Sequence, residues 1–162
     1  MTDRMAPDVR SRLMAKIRSK NTKIELLVFR ALRQRKIYFQ KHYRRAAGSP
    51  DVAWPKRKVA VFIDGCFWHG YRYPQWQHKL PSQFWRDKIE RNRARDRRNF
   101  SALRRHGWLV LRIWEHQLHR QPAVCIERII SAVRSRDCLL VQTKTALQAC
   151  ATRTKRGKMK TE

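Results

Sequence analysis

Apolar positions between residues 12 and 35 recur at helical spacing: Leu13, Ile17, Ile24, Leu27, Val28, Ala31 and Leu32, with a break near Ser19–Thr22. Asn21 or Thr22 suits a helix cap, and Glu25, three residues after Thr22, completes a capping-box pattern. The spacing predicts a short helix, a break, and a second helix over about Thr22–Arg35. Ile37–Tyr43 is aromatic and reads as a strand, and Gly48-Ser49-Pro50 as a turn. Asp51–Trp54 begins a further strand, and Pro55–Lys58 has the composition of a hairpin turn. Val59–Asp64 is a continuous apolar run, the mark of a central strand covered on both faces, and Gly65 stops it. Gly70–Pro81 reads as a loop rich in Tyr, Trp, His and Pro. A long helix is predicted from Ser82, as cap, to about His106, with Trp85, Ile89, Phe100 and Leu103 facing inward and Gly107 ending it. Trp108–Trp114 is another strand, and about Pro122–Arg134 a last helix. The order α, β, β, β, α, β, α predicts an α/β fold, a mixed sheet with helices on its faces.

Composition adds a partner. The 162 residues carry 39 Lys plus Arg against 12 Asp plus Glu, a formal net charge of +27. The length suits a single domain, here over about residues 12–136. Residues 1–11 read as a flexible N-terminus, and 137–162 as a basic, disordered tail. Six Trp and six Phe within a 42% hydrophobic chain exclude a merely disordered basic segment. So much positive charge calls for a polyanion, nucleic acid first and an anionic membrane surface second. No stretch approaches about 18 consecutive apolar residues, which excludes a spanning helix. The first residues lack an apolar signal core. Cys66, Cys125, Cys138 and Cys150 form no CxxC pair. Both features predict a reducing cytoplasm.

Acids are scarce, so their positions inform. Asp51 opens one strand and Asp64 closes the next, and each lies roughly five or six residues from the intervening turn, so a hairpin brings them together. Two carboxylates at a strand end suit Mg²⁺, which takes one or two carboxylates plus phosphate oxygens. The plainer alternative makes Asp51 a turn residue and Asp64 a strand cap. His69, five residues past Asp64, sits where an imidazole can accept a proton from an attacking water. Glu25 is either a helix cap or an outer carboxylate supporting that site. Phe67 and Trp68 are either core or, with Tyr71, Tyr73 and Trp76 in the same loop, exposed rings for stacking on bases. Trp85 belongs to that cluster or to the core stripe. Met14 and Ile17, framed by Arg10, Arg12, Lys16 and Arg18, form either a groove-inserting wedge or an ordinary amphipathic helix. Asn92 and Asp96 lie on the apolar face of the long helix and need partners there. Lys88 can reach a phosphate, and the other arginines of that helix read as a phosphate-tracking rail.

Together the strings Met14-Ala15-Lys16-Ile17, Thr22-Lys23-Ile24-Glu25, Pro50-Asp51, Gly65-Cys66-Phe67-Trp68-His69, Phe84-Trp85-Arg86-Asp87-Lys88-Ile89, Asn92 with Arg95-Asp96, and Gly107-Trp108 with Trp114-Glu115 resemble the very-short-patch mismatch repair endonucleases over about residues 10–120. The resemblance implies a restriction-endonuclease-like fold of the PD-(D/E)xK superfamily. It also implies Mg²⁺-dependent nicking of one DNA strand 5′ to the T of a T·G mispair. The partners would be double-stranded DNA carrying that mispair and other mismatch-repair proteins, for a monomer in the bacterial cytoplasm at the nucleoid. Carried over, Asp51 would be the principal metal ligand, His69 the base or water-orienting group, and Glu25 the supporting acid. Phe67, Trp68 and Trp85 would enter the duplex from the major groove, and Met14 and Ile17 from the minor groove. Lys88, Asn92 and Arg95 would join the DNA contacts.

Two departures stand out. The family resembles one built around a structural zinc held by Cys and His. Here Cys66 and His116 remain, but the other two positions are Tyr71 and Tyr73, which do not suit Zn²⁺ unless His78 or His119 substitutes. Asp64 replaces a His of the best-known family pattern and is closer to a two-carboxylate nuclease, with Cys66 where that motif has Lys. The alternatives are a restriction-like endonuclease without mismatch preference, and a non-catalytic basic DNA-binding protein.

Overall fold

The computed structural model describes Arg12 and residues 20–138. Met14, Ile17, residues 1–11 and the tail after residue 138 lie outside the described residues, as do the expectations placed on them.

Helix α1 spans Lys23–Gln34. Its start is a reciprocal cap: the Glu25 amide donates to Thr22 Oγ1 at 3.4 Å, and the Thr22 hydroxyl donates back to Glu25 Oε1 at 2.8 Å. Val28, Phe29 and Leu32 form its buried stripe. Strand β1 covers only Gln40–Lys41, shorter than the aromatic run Ile37–Tyr43 suggests. It lies at the sheet edge, and His42, in the left-handed region at φ 45°, turns the chain out of the ladder.

Strand β2 (Val52–Trp54) and β3 (Val59–Asp64) are antiparallel, joined by a single turn of 3₁₀ helix at Pro55–Arg57. Strand β4 (Leu109–Trp114) runs parallel to β3, from Val59 opposite Leu109 to Asp64 opposite Trp114. The order β1-β2-β3-β4 places β3 inside, with all six residues buried. Its two faces serve different layers. Val59, Val61 and Ile63 join Val28, Phe29, Leu32, Ile126 and Ile129 in the larger core. Ala60 and Phe62 pack against Phe100 and Leu103, with the Phe62 and Phe100 rings 4.7 Å apart. Asp64 continues that second face.

The segment expected to be a loop holds helix α2 (Tyr73–Trp76) and a 3₁₀ turn at Gln77–Lys79, anchored by the buried Tyr73. Gly70, at φ 64°, lies so close to the next helix that a Cβ would sit 2.6 Å from Arg93 Cδ. That helix, α3, spans Gln83–Arg105 and stops at Gly107, φ 77°. Helix α4 (Glu115–Arg120) is a short addition to the expected order, its first turn capped by the Gln117 side chain, which accepts from the Trp114 amide at 3.2 Å. Helix α5 covers 122–138 and outlasts its apolar period. Tertiary contacts extend it: Asp137 pairs with Arg57, and Arg136 donates to the Gly107 carbonyl at 3.1 Å. Among the described residues no helix is long and apolar enough to cross a membrane.

Candidate active site

The C-terminal end of β3 opens into a cleft of about 770 Å³ that contains two clusters of titratable side chains. The register Val52 opposite Val61, continued one step, sets Asp51 opposite Phe62, so Asp64 lies two residues beyond it. Asp51 Oδ2 accepts from the Ile63 amide at 2.7 Å, which fixes its carboxylate across the strand end.

The first cluster is Glu25, His42 and Asp51, whose donor atoms all lie within 4.8 Å of one another. Helix α1 presents Glu25 from its first turn, and the left-handed His42 turns its ring between the two acids. Nε2 stands 3.6 Å from Glu25 Oε2, and Nδ1 stands 3.7 Å from Asp51 Oδ1. Glu25 is a cap as well as a site residue, since Oε2 also accepts from the Asn21 amide at 2.9 Å. Burial, opposed by the Ile63 hydrogen bond and reinforced by the negative charges of Glu25 and Asp64, pushes the Asp51 carboxyl up to about 7. Among the described residues no Lys or Arg pairs with Glu25 or Asp51. A buried Glu25 and a half-buried Asp51 with only an imidazole between them are short of positive charge, and these carboxylates fit a hard divalent cation.

The second cluster is Asp64, His69 and Asp96, closed by Arg112. His69 Nδ1 stands 2.6 Å from Asp96 Oδ2, and Nε2 stands 3.3 Å from Asp64 Oδ1. Arg112 Nε pairs with Asp64 Oδ2 at 2.5 Å, and Nη2 donates to Asp96 Oδ2 at 2.8 Å. Burial raises the Asp64 carboxyl, against the pull of His69 and Arg112. Burial also works to raise Asp96, but the hydrogen bond and charge of His69, with Arg112 and Arg95, outweigh it and hold that carboxyl below its usual range. The hairpin therefore brings Asp51 and Asp64 to one strand end but divides them. No cluster among the described residues contains both.

Beside the cleft lie the aromatic residues. Phe67, 42% exposed, packs edge-on against Trp68 at 5.0 Å and stacks on Trp76 at 5.7 Å. Trp85, from the first turns of α3, lies 5.8 Å from both Phe67 and Trp68. Asn92 donates to the Trp68 carbonyl at 3.0 Å, so this side chain braces the loop. Arg95 is exposed on the same helix, and Lys88 is half-buried.

A protein-family profile for the DNA mismatch endonuclease Vsr matches residues 2–75. The type II nicking enzyme V.XorIIP of Xanthomonas oryzae is 41% identical over 119 residues, 73% of this chain and 88% of that protein. V.NmeDIP of Neisseria meningitidis, also a type II nicking enzyme, is 37% identical, with 85% of this chain and 94% of that protein covered. The DNA mismatch endonuclease Vsr of Escherichia coli is 30% identical over 132 residues, 80% of this chain and 83% of that protein. The chain belongs to the Vsr family of DNA mismatch endonucleases. Its mixed sheet flanked by helices is the restriction-endonuclease-like fold of that family, and the protein is a DNA endonuclease whose partner is DNA.

Within this Vsr-family fold, Cys66 and His116 remain neighbours, Sγ 3.0 Å from Nδ1. No third His, Cys, Asp or Glu donor completes a metal-binding group with them among the described residues. His119 approaches Glu115 instead, at 3.8 Å. The Tyr71 ring lies 4.3 Å from His116 and 5.0 Å from Trp114, while its carbonyl accepts from Trp76 Nε1 at 2.7 Å. Tyr73 is buried and donates to Glu90 at 3.2 Å. Two donors beside two packed phenol rings do not fit tetrahedral Zn²⁺.

Three residues of the clusters escape a reading by position: His42, Asp96 as partner of His69, and Arg112. The one sequence signal for Arg112 is a lone charge inside the apolar run Leu109–Trp114. His42 has none, because only the turn after β1 brings it to Glu25.

Proposed function

We propose that this endonuclease nicks one strand of a duplex 5′ to the T of a T·G mispair, using Mg²⁺ held by Glu25, His42 and Asp51. The observation that carries the reading is the shared cleft: the cation-poor acid cluster, His69 and Trp68 line the same cavity. Bound there, Mg²⁺ supplies a Lewis acid that offsets the charge developing on the phosphodiester. Asp51 holds its carboxylate at the strand end through the Ile63 amide. His69 orients the attacking water or accepts its proton, and Asp96 fixes the ring while doing so. Phe67, Trp68 and Trp85 offer their faces to unstacked bases beside the mispair, where a weakened base step costs least to open. Lys88, Arg95 and the other cations of α3 follow the phosphates. This is the work of a cytoplasmic monomer that starts repair and hands the nick to other repair proteins.

Three duplexes of one sequence decide it, carrying T·G, T·A or C·G at a single position and incubated with Mg²⁺ at equal salt. A nick 5′ to the mispaired T, lost in Asp51→Asn, supports the reading. Equal cutting of all three makes the protein a nicking enzyme without mismatch preference. No cutting in any of them leaves only a basic DNA binder.

A further inference from the structure

Asp64, His69, Asp96 and Arg112 close a four-membered ring drawn from β3, the following loop, α3 and β4. The parallel pairing of Phe62 with Arg112 sets the arginine diagonally across from Asp64, on the face that meets α3. One planar guanidinium then reaches both carboxylates, at 2.5 Å and 2.8 Å, and these same carboxylates face the two ring nitrogens of His69. Its own freedom is small. The guanidinium carbon lies 4.2 Å from the Trp114 ring centre and 5.2 Å from that of Phe100, so the fork is held between aromatic faces.

The ring also settles where positive charge is needed. Asp64 spends Oδ2 on Arg112 and Oδ1 on His69, whereas among the described residues Glu25 and Asp51 have His42 as their one ion-pairing side chain. A cation at Asp64 would displace a guanidinium already in place. A cation between Glu25 and Asp51 meets no such competitor.

We propose that Arg112 is a positioning residue of the nicking reaction: through Asp64 and Asp96 it holds the His69 ring, and it keeps Asp64 out of the ligand set of the Glu25–His42–Asp51 site. This rests on the reading of the protein as a metal-dependent nicking enzyme. Asp64 is then a carboxylate that functions here because Arg112 accompanies it.

The test has two arms on the full chain. In the first, Mn²⁺ binding is followed by electron paramagnetic resonance without DNA. Asp64→Asn should keep the wild-type affinity within about threefold and Asp51→Asn should lose about tenfold or more, while Arg112→Leu, which frees Asp64 for a cation, should raise the Mn²⁺ affinity or stoichiometry. Loss in Asp64→Asn equal to that in Asp51→Asn overturns the assignment. In the second, single-turnover nicking of the T·G duplex is measured at saturating protein, beside the dissociation constant for the same DNA. Arg112→Leu should slow the nick by about 10–100-fold with DNA affinity unchanged. An unchanged nicking rate overturns the proposal, and so does a loss confined to DNA affinity, which would make Arg112 a phosphate contact. If Arg112→Leu does not fold, Asp64→Asn with Arg112→Leu removes the stranded charge. That double variant should nick no more slowly than Asp64→Asn alone, since the two residues act as one unit. A double variant that nicks about tenfold more slowly again than Asp64→Asn alone refutes the ring. The Mn²⁺ arm needs no turnover, so a wild type that nicks no duplex sinks the nicking reading alone, and the ligand set is still decided.

Discussion

His69 Nδ1 lies 2.6 Å from Asp96 Oδ2, joining a loop residue to a helix residue 27 positions later. The carboxylate is buried, held below its usual range, and shared with Arg112. It fixes the ring's orientation from behind and leaves the other nitrogen facing Asp64 and the cleft.

Asp96→Asn keeps the size of the side chain and removes its charge. The single-turnover nicking rate should fall by about 10–100-fold, with DNA affinity within a factor of two or so. Rates at the wild-type level would show that the ring is held by something else.

Asp51 ties the stability of the fold to pH. Its folded pKa, about 7, is raised above the ordinary 3.8, so the folded chain binds this proton more tightly than the unfolded chain. Its contribution is fully present below about pH 4 and is lost as pH rises through 7. Thermal melts in chelator should therefore show a stability decline from pH 4 to 7, and Mg²⁺ should restore more at pH 7.5 than at pH 5. In Asp51→Asn both the added slope and the Mg²⁺ response should shrink. A Mg²⁺ response that survives intact in this variant removes Asp51 from the site.

Phe67→Ala and Trp68→Ala should each weaken binding to the T·G duplex by about 1–3 kcal/mol, as for a lost base-stacking ring. The loss on perfect duplex should be smaller, because its bases stay stacked. Fluorescence anisotropy on both duplexes checks this, and equal losses would return the two rings to the core.

Tyr71 packs on His116 and Trp114 where the resemblance to the family implied a zinc ligand. Removing the ring in Tyr71→Ala should cost about 1–3 kcal/mol in urea unfolding. Overnight treatment with a zinc chelator, followed by melting in Mg²⁺, should leave the wild-type melting temperature unchanged. One equivalent of zinc in the purified protein, found by elemental analysis, would contradict the aromatic reading of this loop.

Much of the scaffold is legible along the chain, for local reasons. The Thr22–Glu25 cap, the central strand Val59–Asp64 and the long helix ending at Gly107 each arise from interactions a few residues apart or from burial of a continuous run. The elements that differ were decided by distant contacts. The strand around Gln40 is cut short by the left-handed His42, Tyr73 turns an expected loop into a helix by becoming core, and α5 gains length from Arg57 and Gly107.

The site divides in the same way. The sequence by itself determined that this chain is strongly basic, that Asp51 and Asp64 stand at the facing ends of neighbouring strands, and that aromatic residues follow them. Composition and short-range hairpin geometry suffice for that. Only the tertiary structure decided that Asp51 joins Glu25 and His42 while Asp64 joins His69, Asp96 and Arg112. The reason is that β4 pairs with β3 in parallel from about fifty residues away, a connection through a long helix that no local pattern specifies. That pairing brings in Arg112, whose charge determines which of the two carboxylates is left in need of a cation.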